Sequence, residues 1–339
     1  MSSWDWTDAL LKGLAGFLAD RGVMVAGDLR PVPIGDGHSN LTYRIDGAAR
    51  PLVLRRPPPP PFPPGSNDVL REARILSALA GTGVPVPEII ATAEAGEVLD
   101  VPFYIMGLID GEVVTTRMPS RFSSPDQAQA VGFELIEVIA RLNRVDWRGV
   151  GLETLGRPEG FNARHLSRIS GIVRDRAGAL DPAFAEIFPW LEAHCPPESG
   201  AALIHNDCRI GNVMWAHGDT PRIAAVLDWE LATIGDPLFD LGYVVASLPR
   251  EGECRTPVQD FATACLVRGF PSSEELAAHY SAQTGIAVHS LDWYLAMINW
   301  KLAALYAYSR RKGSDPYFQD ETMVPRFLAE AAWHAARAG

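Results

Sequence analysis

The residues most suited to chemistry lie in the stretch 205–212, which reads His-Asn-Asp-Cys-Arg-Ile-Gly-Asn. Asp207 is followed five residues later by Asn212, and Asp228 comes sixteen residues after Asn212. This order is typical of a phosphoryl-transfer site, which needs a carboxylate to deprotonate a hydroxyl and oxygen ligands to hold Mg²⁺ against nucleotide phosphates. We predict that Asp207 is the catalytic base and that Asn212 and Asp228 are metal ligands, because Mg²⁺ prefers hard oxygen donors.

The alternative for this loop is an ordinary polar turn, in which Asp and Asn side chains cap the backbone. The flanks favour phosphoryl transfer, because 201–204 has the pattern of a buried strand and 213–227 that of a hairpin after the loop. His205 is expected to be structural, with its ring bridging backbone groups behind the loop. Asp228 would end an apolar strand, where an unpaired buried carboxylate costs several kcal/mol, so a metal or a hydrogen-bond network is expected there.

Arg209 has two interpretations, and the sequence leaves both open. In an extended loop its side chain would point the same way as Asp207 and belong to the catalytic residues. Otherwise it is a surface arginine that pairs with Glu230. We include Arg209 with Asp207 in the predicted catalytic set.

The elements that must position these residues change in type along the chain. Helical spacing occurs at 4–20 and at 67–79, where Asn67 is the predicted N-cap. Strands are predicted at 41–45, 52–56, 88–93 and 102–109, and later helices at 126–144, 162–178, 182–194, 238–248, 273–284, 291–312 and 321–337. Strands first and helices later, with one hairpin among the helices, predict an α+β fold of two lobes.

The division between the lobes is predicted at Asp110-Gly111. Residues 1–110 would form a small β-rich lobe with an N-terminal helix, a glycine turn and a nucleotide-covering sheet. Residues 111–339 would form a larger helical lobe with the catalytic loop and the acceptor site. The segment 57–64 is proline at every position except Phe62, so it cannot be helix or central strand and is predicted to be a stiff linker.

Candidate phosphate-binding residues lie in the first lobe. Its only lysine is Lys12, which falls in the N-terminal helical stretch, so the cation that holds the ATP phosphates is expected to be an arginine. Strand alternation puts Arg55 and Arg56 on opposite faces, so only one can point at a nucleotide. Backbone N–H groups of the glycine turn could cover the phosphates. The residues of that turn are Gly35, Gly37, Ser39 and Asn40.

Composition excludes several classes of protein. The chain of 339 residues carries a net charge of −11 and shows no basic face, which argues against a nucleic-acid partner. No apolar run is long enough to cross a bilayer, and the N-terminus lacks the features of a signal peptide. Four cysteines fit neither a disulfide framework nor a zinc site, so a cytoplasmic location is expected. The oligomeric state is not predicted.

These motifs resemble the aminoglycoside phosphotransferase and choline kinase superfamily, which has a protein-kinase-like fold, over roughly residues 30–310. The specific likeness is to bacterial phosphotransferase proteins similar to the kinase-like domain fused to some acyl-CoA dehydrogenases. It is carried by Gly37-His38-Ser39-Asn40-Leu41-Thr42-Tyr43, Leu54-Arg55-Arg56-Pro57, Val84-Pro85-Val86-Pro87 and the run 228–237, Asp-Trp-Glu-Leu-Ala-Thr-Ile-Gly-Asp-Pro. His-Asn-Asp-Cys at 205–208 is instead similar to choline and ethanolamine kinases, which are therefore the second choice.

The resemblance implies roles for further residues. The family's phosphate anchor follows an apolar strand pair, here Val53-Leu54, which selects Arg55, with Glu72 as its predicted partner. Glu72 could instead form an ion pair with Arg71 or Arg74, or have no partner. Met106 and Leu108 would bound the hinge whose backbone reads the nucleotide base. Two later carboxylates are interpreted as structural: Asp236 bracing the catalytic loop and Asp240 bracing the following helix.

The expected activity is that of an ATP- and Mg²⁺-dependent kinase, GTP not being excluded, that phosphorylates the hydroxyl of a small molecule. The acceptor is either an antibiotic or a hydroxylated metabolite or acyl compound. Alternatives are a choline- or ethanolamine-type kinase and a nucleotide-binding pseudokinase, the latter because Arg55 stands where lysine is usual. The aromatic residues of 291–312 are predicted to form core rather than a cage for a quaternary ammonium.

Overall fold

The structure is a computed structural model that describes residues 6–35, 40–59, 67–313 and 315–338. Its chain divides into two compact units. The first lies within Met1–Asp110 together with Asp228–Glu230, and the second comprises Gly111–Leu227 and Leu231–Gly339. Within the described ranges, no helix combines the length and the apolar character that a membrane span requires.

The first unit is built on one antiparallel sheet of five strands in the order β1-β2-β3-β5-β4. The strands are β1 (Val25–Pro33), β2 (Leu41–Ala48), β3 (Leu52–Arg56), β4 (Ile89–Ala93) and β5 (Phe103–Gly107). β1 was not predicted, because its sequence contains Gly27, Pro31 and Pro33. It lies at the edge of the sheet, where a strand tolerates the missing N–H groups of proline.

Two helices, α1 (Asp8–Ala19) and α2 (Val69–Leu79), belong to the first unit. α1 buries Leu14, Phe17 and Leu18 in an apolar core that it shares with Leu54 and Ile105 of the sheet. The predicted cap of α2 is wrong by one residue. Its N-cap is Asp68, whose carboxylate accepts the backbone N–H of Arg71, whereas Asn67 has a φ of 61° and lies outside the helix.

The second unit is mainly helical and contains two small sheets, β10-β7 and β6-β8-β9. Its strands are β6 (Glu112–Val113), β7 (Ala202–Ile204), β8 (Val213–Trp215), β9 (Ile223–Val226) and β10 (Thr233–Gly235). Its helices are α3 (Pro125–Asn143), α4 (Phe161–Ser170), α5 (Pro182–Ala185), α6 (Phe188–Ala193), α7 (Leu238–Ala246), α8 (Pro257–Asp260), α9 (Ser273–Thr284), α10 (Leu291–Lys312) and α11 (Met323–Arg337).

Two predicted helices are shorter than expected. The stretch 162–178 is helical only to Ser170, after which a 3₁₀ turn leads into a loop where Gly178 adopts a positive φ. The stretch 182–194 divides into α5 and α6, and Pro189 stands in the first turn of α6, where its missing N–H does no harm. By contrast, α9 and α10 have the predicted bounds.

Candidate active site

Asp207 and Asn212 are joined directly within the loop between β7 and β8. The amide nitrogen Nδ2 of Asn212 donates to the carboxylate Oδ2 of Asp207 at 2.8 Å and to its backbone carbonyl, also at 2.8 Å. One amide therefore fixes both the side chain and the backbone of Asp207. The Asp207 side chain keeps 20% of its surface exposed, which a base that must reach a substrate requires.

Arg209 extends beside Asp207, with Nε 3.7 Å from Oδ1 of the carboxylate. Its backbone is extended, with φ −155° and ψ 165°, as the catalytic interpretation of this residue assumed. Gly211 makes room for it, because a Cβ at that position would lie 2.8 Å from Nη1 of Arg209. The pair presents a carboxylate and a guanidinium on the same side of the loop.

The loop is braced from α7, and the roles expected for two carboxylates are exchanged. Asp240 accepts the backbone N–H groups of His205 at 3.0 Å and Asn206 at 2.8 Å, so this residue braces the catalytic loop. Asp236 lies just before α7 and accepts the N–H of Leu238, the first residue of that helix, at 3.1 Å. The prediction failed because Asp236 lies before α7 and Asp240 in its first turn, and the sequence does not say which of the two faces the loop.

Asn206 holds the backbone turn that leads into Asp207. Its φ is 64°, in the left-handed region that asparagine tolerates better than most residues. Its Nδ2 donates to the carbonyl of Leu231 at 3.2 Å, and its Oδ1 accepts from Nζ of Lys301 at 3.0 Å. His205, fully buried, contacts the carbonyl of Leu227 through Nε2 at 2.8 Å, which agrees with a structural role.

Lys301 was not among the predicted site residues. It lies on α10, 95 positions from Asn206, and nothing in local sequence indicates that this helix reaches the loop. Burial lowers the pKa of Lys301 to about 7, helped by Arg168, while the charges of Asp207 and Asp240 act in the opposite direction. The one signal in the sequence was that Lys301 is one of only three lysines and lies in a largely apolar helical stretch.

In the first unit, Arg55 joins two carboxylates. Its Nε donates to Glu72 at 2.8 Å and its Nη2 to Asp228 at 2.8 Å. Arg56 points to the other face of the sheet, where Nε donates to the carbonyl of Pro57. Burial alone would lower the pKa of Arg55, but Glu72, Tyr104 and Asp228 outweigh it and raise that pKa. The guanidinium is therefore permanently charged.

Glu72 is nearly inaccessible and is held by three donors. Besides Arg55, it accepts from Nδ2 of Asn40 at 2.7 Å and from the hydroxyl of Tyr104 at 3.2 Å. Burial raises the pKa of Glu72, and Arg55 opposes that change. Tyr104 was missed in the sequence because its role depends on strand register, which places it opposite Arg55.

The glycine turn and the hinge remain predictions as nucleotide-binding elements. Gly35 has a φ of 78°, as a tight turn requires, whereas Gly37 and Ser39 lie outside the described residues. Asn40 is described, and its side chain also accepts from Asn67 at 3.0 Å.

The predicted hinge follows β5, whose Met106 pairs with β3 and β4. The next two N–H groups are engaged, Gly107 with the carbonyl of Glu88 and Leu108 with that of Pro51. In this structure they are not free to read a base.

Asp228 follows directly on a residue that is tied to the catalytic loop, because the N–H of Leu227 donates to the carbonyl of Asn212 at 2.8 Å. Asp228 itself has a φ of 64°, and 36% of its side chain is exposed. Its hydrogen bond from Arg55 agrees with the hydrogen-bonded environment expected for this carboxylate. Among the described residues, no group of three or more His, Cys, Asp or Glu side chains could hold a metal ion.

The aromatic side chains of α10 are core at its N-terminal end. Trp293, Tyr294 and Trp300 are buried, and the ring nitrogens of the two tryptophans donate to the carbonyls of Leu191 and Phe184. The hydroxyl of Tyr294 donates to Asp236 at 2.7 Å.

Comparison with known proteins gives three kinds of match: a family model, curated proteins and solved structures. A family model described as "Phosphotransferase enzyme family" matches residues 31–294. Among curated proteins, acyl-CoA dehydrogenase family member 10 of Mus musculus is 30% identical over 338 residues, a match covering 97% of this chain and 31% of that protein. The chain thus spans about a third of the length of this relative.

Solved structures share the fold. One from Ralstonia eutropha, provisionally described as an aminoglycoside phosphotransferase, matches with a TM-score of 0.78 and 28% identity and covers 96% of this chain and 98% of that chain. A thermostable mutant of aminoglycoside phosphotransferase APH(4)-Ia, in complex with ADP and hygromycin B, matches with a TM-score of 0.55 and 18% identity over 96% of each chain. The predicted protein-kinase-like fold is confirmed: a five-stranded antiparallel sheet is followed along the chain by a mainly helical region.

Proposed function

The chain belongs to the phosphotransferase enzyme family, and on that premise we propose that it transfers the γ-phosphoryl group of ATP to the hydroxyl of a small molecule with the help of Mg²⁺. The observation that carries the proposal is the double hydrogen bond from Asn212 to Asp207. It holds a partly exposed carboxylate in one orientation, as a base must be held to accept the proton of an attacking hydroxyl.

The residues available for Mg²⁺ fit the ion. Both contacts of the Asn212 amide nitrogen go to Asp207, and no described residue donates to its oxygen, which is left as a ligand. Asp228 offers a carboxylate of which about a third is exposed. Two protein oxygens are few for magnesium, which commonly takes further ligands from nucleotide phosphates and water. The ion would supply neutralisation of the phosphate charge.

On the nucleotide side, we propose that Arg55 binds phosphate and that Glu72 fixes the orientation of the Arg55 guanidinium. The guanidinium keeps its charge and offers two donors in a fixed plane, which suits phosphate oxygens. Glu72 is held in turn by Asn40 and Tyr104, so the anchor is supported from behind. Gly35, Gly37 and Ser39 would cover the phosphates. Met106 to Leu108 would contact the base through backbone groups other than the N–H groups of Gly107 and Leu108, which are already hydrogen-bonded.

For the acceptor, we propose a hydroxylated acyl compound or related metabolite rather than a polycationic antibiotic. The charged side chains that act on the surroundings of Asp207 from within its own unit include Arg209 and Lys301, and two tyrosines, Tyr243 and Tyr306, also lie within electrostatic reach. The guanidinium of Arg209 beside the base, and Lys301 when it is protonated, disfavour a cationic acceptor. A relative that is named an acyl-CoA dehydrogenase family member supports the acyl class.

The direct test measures release of ADP from Mg·ATP with a panel of hydroxyacyl compounds, choline and aminoglycosides. Asp207→Asn keeps the shape of the side chain and removes the base, so we expect turnover to fall by about 10²- to 10⁴-fold. Asp219→Asn, the same change at an exposed position of the same unit, is the matched control and should keep wild-type turnover. Undiminished activity of Asp207→Asn would refute the assignment.

The second candidate function is a nucleotide-binding module without transfer activity. The ion pair between Arg55 and Asp228 favours it, because the guanidinium occupies the carboxylate that a metal would need. Arg55→Lys separates the two. A catalytic protein should keep or gain turnover with the lysine usual in the family, whereas a pseudokinase should stay inactive with every acceptor in the panel.

A further inference from the structure

Lys301 is a buried lysine with very few partners. Only 2% of the residue is exposed, and its Nζ donates to Oδ1 of Asn206 at 3.0 Å and lies 4.9 Å from the centre of the Tyr243 ring. No carboxylate of the described residues lies within ion-pair distance of it. Burying an ammonium group without an ion-pair partner costs free energy, so an apolar side chain of similar size would stabilise the fold more than a lysine does here.

The charges that face Lys301 come from three elements. The loop contributes Asp207, and α7 contributes Asp240, both of which favour the protonated ammonium. From α4, Arg168 disfavours it, and His165, buried beside it, has a pKa lowered well below its usual value by burial and then by Lys301. The strongest effect on Lys301 is its own burial.

The partner of Lys301 is the residue that sets the direction of the catalytic loop. Asn206 directly precedes Asp207 and has a left-handed backbone, which costs asparagine about 1 kcal/mol unless other contacts maintain it. Three contacts are visible: the backbone N–H to Asp240, the amide nitrogen to Leu231, and the amide oxygen to Lys301. Lys301 is the only one of these partners that reaches the loop from α10.

We propose that Lys301 is a positioning residue, which anchors Asn206 to α10 and thereby fixes the direction in which Asp207 presents its carboxylate. The proposal rests on the proposed function, in which Asp207 is the base. The hydrogen bond from Nζ to Asn206 provides the anchor. When Lys301 is protonated, its charge and that of Asp207 also attract each other, and no ion pair between the two covers the carboxylate.

The experiment compares three variants with the wild type. Lys301→Met has a similar length and removes both charge and donor, whereas Lys301→Gln keeps a donor that can reach Asn206. Lys312→Met makes the same change at an exposed lysine near the end of the same helix and serves as the matched control. Two properties are measured: hydrogen–deuterium exchange of peptides that cover 203–212, and steady-state turnover of Mg·ATP with water as acceptor.

In Lys301→Met we expect at least tenfold faster exchange in the loop and at least a tenfold lower kcat, with the KM for Mg·ATP changed less than twofold. Lys301→Gln should recover the protection of the loop in part, and Lys312→Met should match the wild type. A loop equally protected in Lys301→Met and wild type would overturn the proposal, as would an unchanged kcat. If the wild type turns over Mg·ATP neither with water nor with the acceptor panel of the direct test, the proposed function fails, and the exchange comparison alone decides whether Lys301 anchors the loop.

Discussion

At the scale of single residues, the catalytic loop is held by side chains that each secure one part of its backbone. Asn212 fixes Asp207, Asp240 takes the two preceding N–H groups, and Lys301 holds Asn206. The loop that contains Asp207 and Asn212 could be proposed as a site from the sequence, because its residues lie close together along the chain. The supports could not, because they come from residues far along the chain whose facing depends on how helices pack.

The burial of Lys301 makes a prediction about stability and pH. Its pKa is about 7 in the folded protein against 10.5 for an ordinary lysine, so between these values the unfolded chain binds a proton that the folded chain has released. Stability therefore rises with pH in this window, by at most about 1.4 kcal/mol per pH unit from this group. Lys301→Met lacks this contribution. The excess of its unfolding free energy over that of the wild type should therefore be largest at the acid end of the pH window.

Urea unfolding of both proteins at several values between about pH 6 and about pH 9 checks the expectation. Other titrating groups are common to the two proteins and cancel in the difference. A difference in unfolding free energy that does not change with pH would show that the folded lysine keeps an ordinary pKa.

At the scale of elements, sequence periodicity located the long helices and the paired strands, and it failed where local rules compete with packing. The bounds of α9 follow from the capping box of Ser272 and Glu275 and from Gly285, all visible in the sequence. β1 escaped prediction because its prolines argue against a strand, yet an edge position tolerates them. The start of α2 was misplaced because Asn67 and Asp68 are both good caps.

The pairing of α2 with the sheet predicts a large loss of stability for Glu72→Ala. The change leaves Arg55 without one of its two carboxylates, and the donors of Asn40 and Tyr104 without their acceptor, in a buried place. Breaking a buried ion pair costs about 3 kcal/mol or more.

Glu88→Ala is the matched control, because Glu88 pairs with Arg50 at the surface of the same unit. An exposed pair contributes at most about 1 kcal/mol. Denaturant unfolding monitored by tryptophan fluorescence gives both values, and equal losses for the two variants would contradict the role given to Glu72.

At the scale of the whole molecule, the proposed ligand should be visible in global stability. A ligand that binds only the folded protein raises the free energy of unfolding, by about 2.7 kcal/mol at one hundred times its Kd. We expect Mg·ATP to raise the melting temperature in a concentration-dependent manner. Asp228→Asn should remove most of this shift, because it weakens a proposed ligand of the metal.

Thermal-shift titrations with ATP, with ATP and excess EDTA, and with GTP complete the comparison. Stabilisation by ATP that EDTA does not reduce would count against the metal ligands proposed here. A larger shift of the melting temperature with GTP than with ATP would indicate that GTP is the nucleotide, and it would leave the rest of the proposal unchanged.

The ion pair between Arg55 and Asp228 has a consequence for the order of binding. The guanidinium of Arg55 neutralises Asp228, the carboxylate proposed to bind a divalent ion. Free Mg²⁺ would therefore have to displace a cation that is covalently part of the protein. A nucleotide that arrives with its metal brings both a replacement cation for Asp228 and an anion for Arg55. In this exchange each of the two side chains would keep a partner of opposite charge, so on the proposed function we expect the protein to bind the complex more tightly than either component alone.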